Sequence, residues 1–174
     1  VAHVAFADPI CEVLRQYLLR AAQNAVAQDN SPEARTVHDR GTYVCMEGPA
    51  FSTRAESHLY RSWGAHVIGM TNLTEAKLAR EAEISYATIA MSTDYDCWHE
   101  GHEDVTVDAV VAVMKSNVAI AQAIIAEAIP LIASHNGSAP QSKALQFSFI
   151  TDKSLISSDI VQRLSPIIGK YFTS

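Results

Sequence analysis

The stretch AMSTDYDCW (90–98) closes an apolar run, ISYATIAMS (84–92), on two aspartates one residue apart. The run consists of small and β-branched residues with almost no charge, which predicts a strand covered on both faces. Residues two apart in a strand share a face, so a strand continued through Asp94 and Asp96 would send both side chains to one side. Two carboxylates are then expected to face one space at the carboxyl end of a buried strand.

Upstream, GTYVCMEGP (41–49) and AHVIGMT (65–71) predict two further short strands, the first closed by Gly48 and Pro49. Between them Ser52 or Thr53 can cap a helix with Glu56 in its first turn, ending at Gly64 as C′ residue. TEAKLAREAE (74–83) predicts a helix capped by Thr74, and a long helix is expected from about Thr106 to Leu131, with apolar residues near helical spacing. At the start, the opening segment looks strand-like. A helix with Asp8 as N-cap and Pro9 in its first turn follows it, then an exposed loop, QDNSPEAR (28–35). Behind the long helix, SHNGSAPQSK (134–143) resembles a linker, FSFI (147–150) a short strand, and SSDIVQRLSPIIGKYF (157–172) a terminal helix kinked near Pro166. Helices alternating with buried strands predict an α/β fold with a mixed, largely parallel sheet. The carboxyl ends of such strands hold ligands, and here they present Glu47 to Ser52, Met70 to Asn72, and Thr93 to Asp96.

The 174 residues, 48% hydrophobic and 18% charged, suit one domain with a sizeable core better than a disordered chain. A net charge of -6 gives no basic footprint, so neither nucleic acid nor an anionic membrane surface is an expected partner. Cys11, Cys45 and Cys97 are widely spaced and odd in number, which argues against a disulfide framework and for a reducing, cytoplasmic compartment. The apolar stretch 107–133 is interrupted by Asp108, Lys115, Asn117, Gln122 and Glu127 and is not expected to span a membrane. VAHVAFADPI (1–10) has no basic n-region or cleavage site, so no signal peptide is expected. The start at Val1, straight into an apolar segment, suggests part of a longer polypeptide.

The motifs EGPAFSTRAE (47–56), WGAHVIGMTN (63–72), AMSTDYDCW (90–98) and HVAFADPIC (3–11) together resemble the trimeric purine nucleoside phosphorylase superfamily, in particular its methylthioadenosine-cleaving branch. The resemblance runs from about residue 3 to residue 132, with 133–174 a loosely matching tail of the same domain. It implies phosphorolysis: phosphate attacks the anomeric carbon of S-methyl-5′-thioadenosine and releases adenine and 5-methylthioribose 1-phosphate, with phosphate a co-substrate and no cofactor. By motif, Asp94 would hydrogen-bond or protonate the purine near N7 and Asp96 would assist at the 6-amino group. Two carboxylates this close do not both carry charge cheaply, which favours one shared proton. Thr93 and Ser52 would belong to the base site, Phe51 would pack against the base, Met70 would lie under the ribose and Thr71 would donate to phosphate. Val107 and Val110 would line the methylthio pocket, with His3 reaching in from a neighbouring subunit of a trimer. Members acting on 6-oxopurines carry asparagine in place of Asp94 and glutamate in place of Ser52, so both positions imply a 6-aminopurine.

Departures from the family pattern accompany the matches. Leu73-Thr74-Glu75 stands where a V-P-E run is usual, Ala50 replaces a basic residue, and the loop at 28–35 looks inserted. The glycine-rich opening and the Arg-His pair that hold phosphate in the family have no counterpart in these residues, so an amino-terminal companion segment or chain is expected, without which phosphate site and sheet are incomplete. An alternative reading is a catalytically inactive structural subunit of a larger assembly. Apart from the resemblance, Met70 and Phe51 suit a core, Ser52 a helix cap, and the aspartates a solvated strand end. The run HEGHED (99–104) lacks metal-ligand spacing and is expected to form a loop that holds no metal; Cys97 is expected to be structural.

Overall fold

A computed structural model describes residues 1–31, 34–99 and 107–172, with the side chains of 107–110 also outside the description. The chain divides into two compact units interleaved along the sequence: Val1–Leu14, Leu73–Ala87 and Asn136–Ser174 form one, Arg15–Asn72 and Thr88–His135 the other.

The second unit is built around the two-stranded parallel sheet of β1 (Tyr43–Cys45) and β2 (Val67–Gly69), paired in the register Tyr43↔Val67, Val44↔Ile68 and Cys45↔Gly69. The connection carries α2 (Arg54–Ser62), giving the strand-helix-strand unit that parallel pairing requires. Both ends of α2 follow the expected chemistry. Thr53 rather than Ser52 is the N-cap, forming a capping box with Glu56, and Gly64 at φ 78° takes the left-handed C′ position that β-carbons disfavour. The box satisfies the Thr53 and Glu56 amides, and beyond the last turn the Gly64 and Ala65 amides donate to the Arg61 and Tyr60 carbonyls.

Gly69 makes room for a neighbour. A β-carbon there would lie 1.8 Å from Tyr43 Oη and 2.8 Å from its Cζ, because the tyrosine ring crosses diagonally from β1. Gly69→Ala is therefore expected to push Tyr43 off its rotamer and destabilise the protein by about 1–3 kcal/mol, read as a lower midpoint in urea. An unchanged midpoint would mean that the ring swings aside freely.

Helices α1 (Glu12–Gln28) and α4 (Val107–Ala133) supply the core of this unit. Ala21 and Ala25 of α1 pack against Ile120, Ile124 and Ala128 of α4, with Leu18, Ala22, Val26, Ile89, Met91 and Leu131 around them. Alanines along one ridge let the branched side chains of the other helix sit close to the backbone. The opposite side of α4 leaves Val111, Met114, Val118, Ile125 and Ile129 exposed. By length and composition alone Val111–Ala133 is apolar enough to cross a membrane, its charged residues being Lys115 and Glu127.

The run 84–92 departs from expectation. It forms no strand; within the second unit Thr88 Oγ1 donates to Asn72 Oδ1 at 2.6 Å and Asn117 Nδ2 donates to Ser92 O at 2.9 Å. Nor is it covered on both faces: Ile89 and Met91 are partly buried against the core of α1 and α4, while Ile84, Ala90 and Ser92 are exposed, and a strand also needs a neighbouring backbone to complete its ladder.

In the first unit α3 (Asn72–Glu81, its first residue in the second unit) starts two residues before Thr74, and α1 starts at Glu12, so neither Thr74 nor Asp8 serves as N-cap. The opening segment and FSFI contribute only an antiparallel bridge, Ala2↔Phe149. The terminal segment breaks, as expected near Pro166, into α5 (Ser158–Arg163) and α6 (Ser165–Ile168). It is fastened at Glu83, a left-handed residue (φ 58°) at the end of α3 whose side chain is 5% exposed. Its carboxylate accepts from the Leu145 amide at 2.9 Å, from Tyr171 Oη and from Lys170 Nζ. Helices and a parallel sheet together give the α/β class.

Candidate active site

The start of α2 collects the residues singled out in the sequence. Gly48 at φ 68° turns the chain after β1, and a β-carbon on it would lie 3.0 Å from Met70 Sδ, so Met70 at the end of β2 rests over that turn. With Thr53 as the cap, Ser52 is left to donate to Met46 Sδ at 3.3 Å. Phe51 is 86% exposed, its ring presented to solvent beside the cap; Thr71 is exposed at the exit of β2.

The aspartate segment docks on this platform by three hydrogen bonds. Ser57 Oγ, buried at 1% exposure, donates to Asp96 Oδ2; Arg54 Nη1 donates to Cys97 O at 2.7 Å; Cys97 Sγ donates to Ser52 O at 3.4 Å. One turn further along α2, Arg61 lies 3.4 Å from the Trp98 ring centroid, a cation–π contact, and Tyr95 stacks on His99 at 4.5 Å.

The expectation that Asp94 and Asp96 continue a strand is corrected by this geometry. The chain bends at Asp94 and turns after Asp96, with the His99 amide donating to Asp96 O at 3.1 Å, so period-two projection no longer applies. The carboxylates have separate partners: exposed Asp94 accepts from Thr93 Oγ1, and half-buried Asp96 from Ser57. Among the described residues no group of three or more His, Cys, Asp or Glu side chains could hold a metal. Val107 and Val110 lie in the first turns of α4 with side chains outside the described residues, and HEGHED, apart from His99, is outside them entirely. His3 belongs to the other unit, where its amide donates to Ser148 O at 2.8 Å.

Sequence reasoning missed Ser57, Arg54 and Arg61. Ser57 stands one turn after Thr53 on α2, and nothing in the sequence marks it, because its partner lies 39 residues away.

The family model described as the phosphorylase superfamily matches residues 1–130. This chain belongs to the phosphorylase superfamily. Among the relatives of this superfamily member, the S-methyl-5′-thioadenosine phosphorylase of Geobacter sulfurreducens is 56% identical over 171 residues, 98% of this chain and 57% of the relative. The S-methyl-5′-thioadenosine phosphorylase of Thermosynechococcus vestitus is 50% identical over 171 residues, again 98% of this chain and 57% of the relative. The chain thus spans little more than half the length of the curated relatives it matches. A crystal structure of methylthioadenosine phosphorylase from an Antarctic soil metagenomic library superposes with a TM-score of 0.83 at 44% identity, covering 96% of this chain and 56% of that one. A Schistosoma mansoni methylthioadenosine phosphorylase in complex with adenine gives 0.72 at 37% identity, covering 83% and 54%.

Proposed function

We propose that the chain provides the purine site of a phosphorylase that cleaves S-methyl-5′-thioadenosine with phosphate into adenine and 5-methylthioribose 1-phosphate. The observation that carries this reading is the docking of the aspartate segment onto the start of α2 through Ser57, Arg54 and Cys97, which joins the two most diagnostic motifs into one surface. The relatives named for this reaction support it.

In the reaction the N9–C1′ bond breaks, a phosphate oxygen bonds to C1′, and the electrons arriving on the purine are neutralised by a proton delivered near N7. Asp94, exposed and bonded only locally to Thr93, is the group we assign to that proton. Asp96 accepts from the 6-amino group, Ser52 and Thr93 border the base, and Phe51 covers its face. Met70 lies under the ribose and Thr71 donates to phosphate. Val107 and Val110 form the methylthio pocket, completed by His3 of a neighbouring subunit in a homotrimer. The remaining phosphate contacts come from a companion segment or chain, and the assembly works in the cytoplasm. The chemistry needs no cofactor or metal.

The test is an assay of adenine release from methylthioadenosine plus phosphate, on the chain purified from its native source with every polypeptide that accompanies it. Phosphate-dependent release is expected, with intact masses identifying any companion. An assembly that binds neither adenine nor methylthioadenosine would overturn the reading.

A further inference from the structure

The contact between Ser57 and Asp96 sets a serine hydroxyl, 1% exposed and inside the first turns of α2, against the one aspartate of the pair that is half-buried. A serine hydroxyl has a single proton. Donated to Asp96 Oδ2, it makes that oxygen an acceptor and ties the carboxylate to α2. Among the described residues Asp94 has no comparable restraint, since Thr93 is its sequence neighbour and moves with it. The two carboxylates therefore differ in kind: one is held by a helix across 39 residues of sequence, the other only locally.

We infer that Ser57 is a positioning residue that sets the preference for 6-amino over 6-oxo purines by holding Asp96 as a hydrogen-bond acceptor. A 6-amino group is a donor and meets that acceptor. A 6-oxo group is itself an acceptor and offers that acceptor no proton, so the restraint works against it. Ser57 touches neither base nor sugar; it acts through Asp96. Arg54 on Cys97 O and Arg61 on Trp98 keep the following residues against α2, so Ser57 has only the carboxylate orientation to define. The inference rests on the purine-site reading above.

The test compares Ser57→Ala, and Ser57→Cys as a weaker donor of similar shape, with the unsubstituted chain in its native assembly. Each is assayed with methylthioadenosine and its 6-oxo counterpart, and adenine and hypoxanthine binding is measured by calorimetry. Ser57→Ala is expected to lower kcat/KM for the 6-amino substrate about ten-fold, mainly through KM, with less than about two-fold change for the 6-oxo substrate; Ser57→Cys should fall between. Equal losses on both substrates would mark Ser57 as merely structural, and unchanged selectivity would also overturn the inference. Should Ser57→Ala fail to fold, the ratio in Ser57→Cys decides alone. An unsubstituted assembly that binds neither base defeats the purine-site reading, and this inference with it; normal turnover with unchanged selectivity in the variants defeats only the role of Ser57.

Discussion

Asp94→Asn is expected to lower adenine release from methylthioadenosine by about 10²–10⁴-fold, the range over which a positioned acid contributes to a proton transfer. An amide still donates a hydrogen bond but has no proton to deliver, so ground-state binding of adenine should change far less than turnover. Selectivity should move towards 6-oxopurines, because superfamily members acting on them resemble this variant at that position. Asp94 is exposed and, among the described residues, bonded to its neighbour Thr93, so the substitution should leave the unfolding free energy within about 0.5 kcal/mol of the original. Initial rates with both substrates check this. Turnover within two- or three-fold of the unsubstituted assembly would remove Asp94 from the proton transfer.

The second large effect concerns stability. Glu83→Ala should destabilise the protein by about 2–3 kcal/mol, since it strips a charged acceptor from the Leu145 amide, Tyr171 Oη and Lys170 Nζ together. Alanine at φ 58° keeps the backbone strain, so the loss isolates the side chain; Glu83→Gly relieves that strain and should cost about 1 kcal/mol less. Burial alone would raise the Glu83 carboxyl, but the Lys170 ammonium, the Tyr171 hydroxyl and the Leu145 amide outweigh it and hold it below its ordinary value of 4.5. A depressed carboxyl stabilises the folded state above its unfolded value and loses that contribution as pH falls through the folded one, here below about 4.5. Burial and the Glu83 carboxylate push Tyr171 up from 10.0 to about 12, so its contribution is complete below pH 10 and lost between about 10 and 12. Urea midpoints across pH should fall at both ends in the unsubstituted protein and flatten in Glu83→Ala. Equal slopes in the two proteins would assign the pH dependence elsewhere.

Local chemistry was legible wherever a few consecutive residues decided the outcome. The Thr53–Glu56 box, the left-handed Gly64, the two short strands and the break at Pro166 each follow from side chains within one or two turns. The run at 84–92 did not, because apolar composition cannot say whether another backbone lies beside it, and Ile84, Ala90 and Ser92 are in fact exposed. The site was legible as a set of motifs but not as a geometry. Projection of Asp94 and Asp96 to one side presupposed a strand, and the turn closed by the His99 amide has no strong sequence signature. Ser57 was hidden for the opposite reason: a single serine in a helix says nothing until its partner 39 residues away is known.

That separation also orders the assembly of the site in time. β1, α2 and β2 are consecutive, so their pairing closes a short loop and can form early. Asp96 reaches Ser57 only after the chain has passed through β2, α3 and the run at 84–92, a longer closure that gains nothing until both ends are ordered. Contacts absent from the folding transition state govern escape from the native state. Loosening the Ser57–Asp96 bond should therefore speed unfolding while leaving the folding rate nearly untouched, so the platform of β1, α2 and β2 assembles before the aspartate segment docks on it.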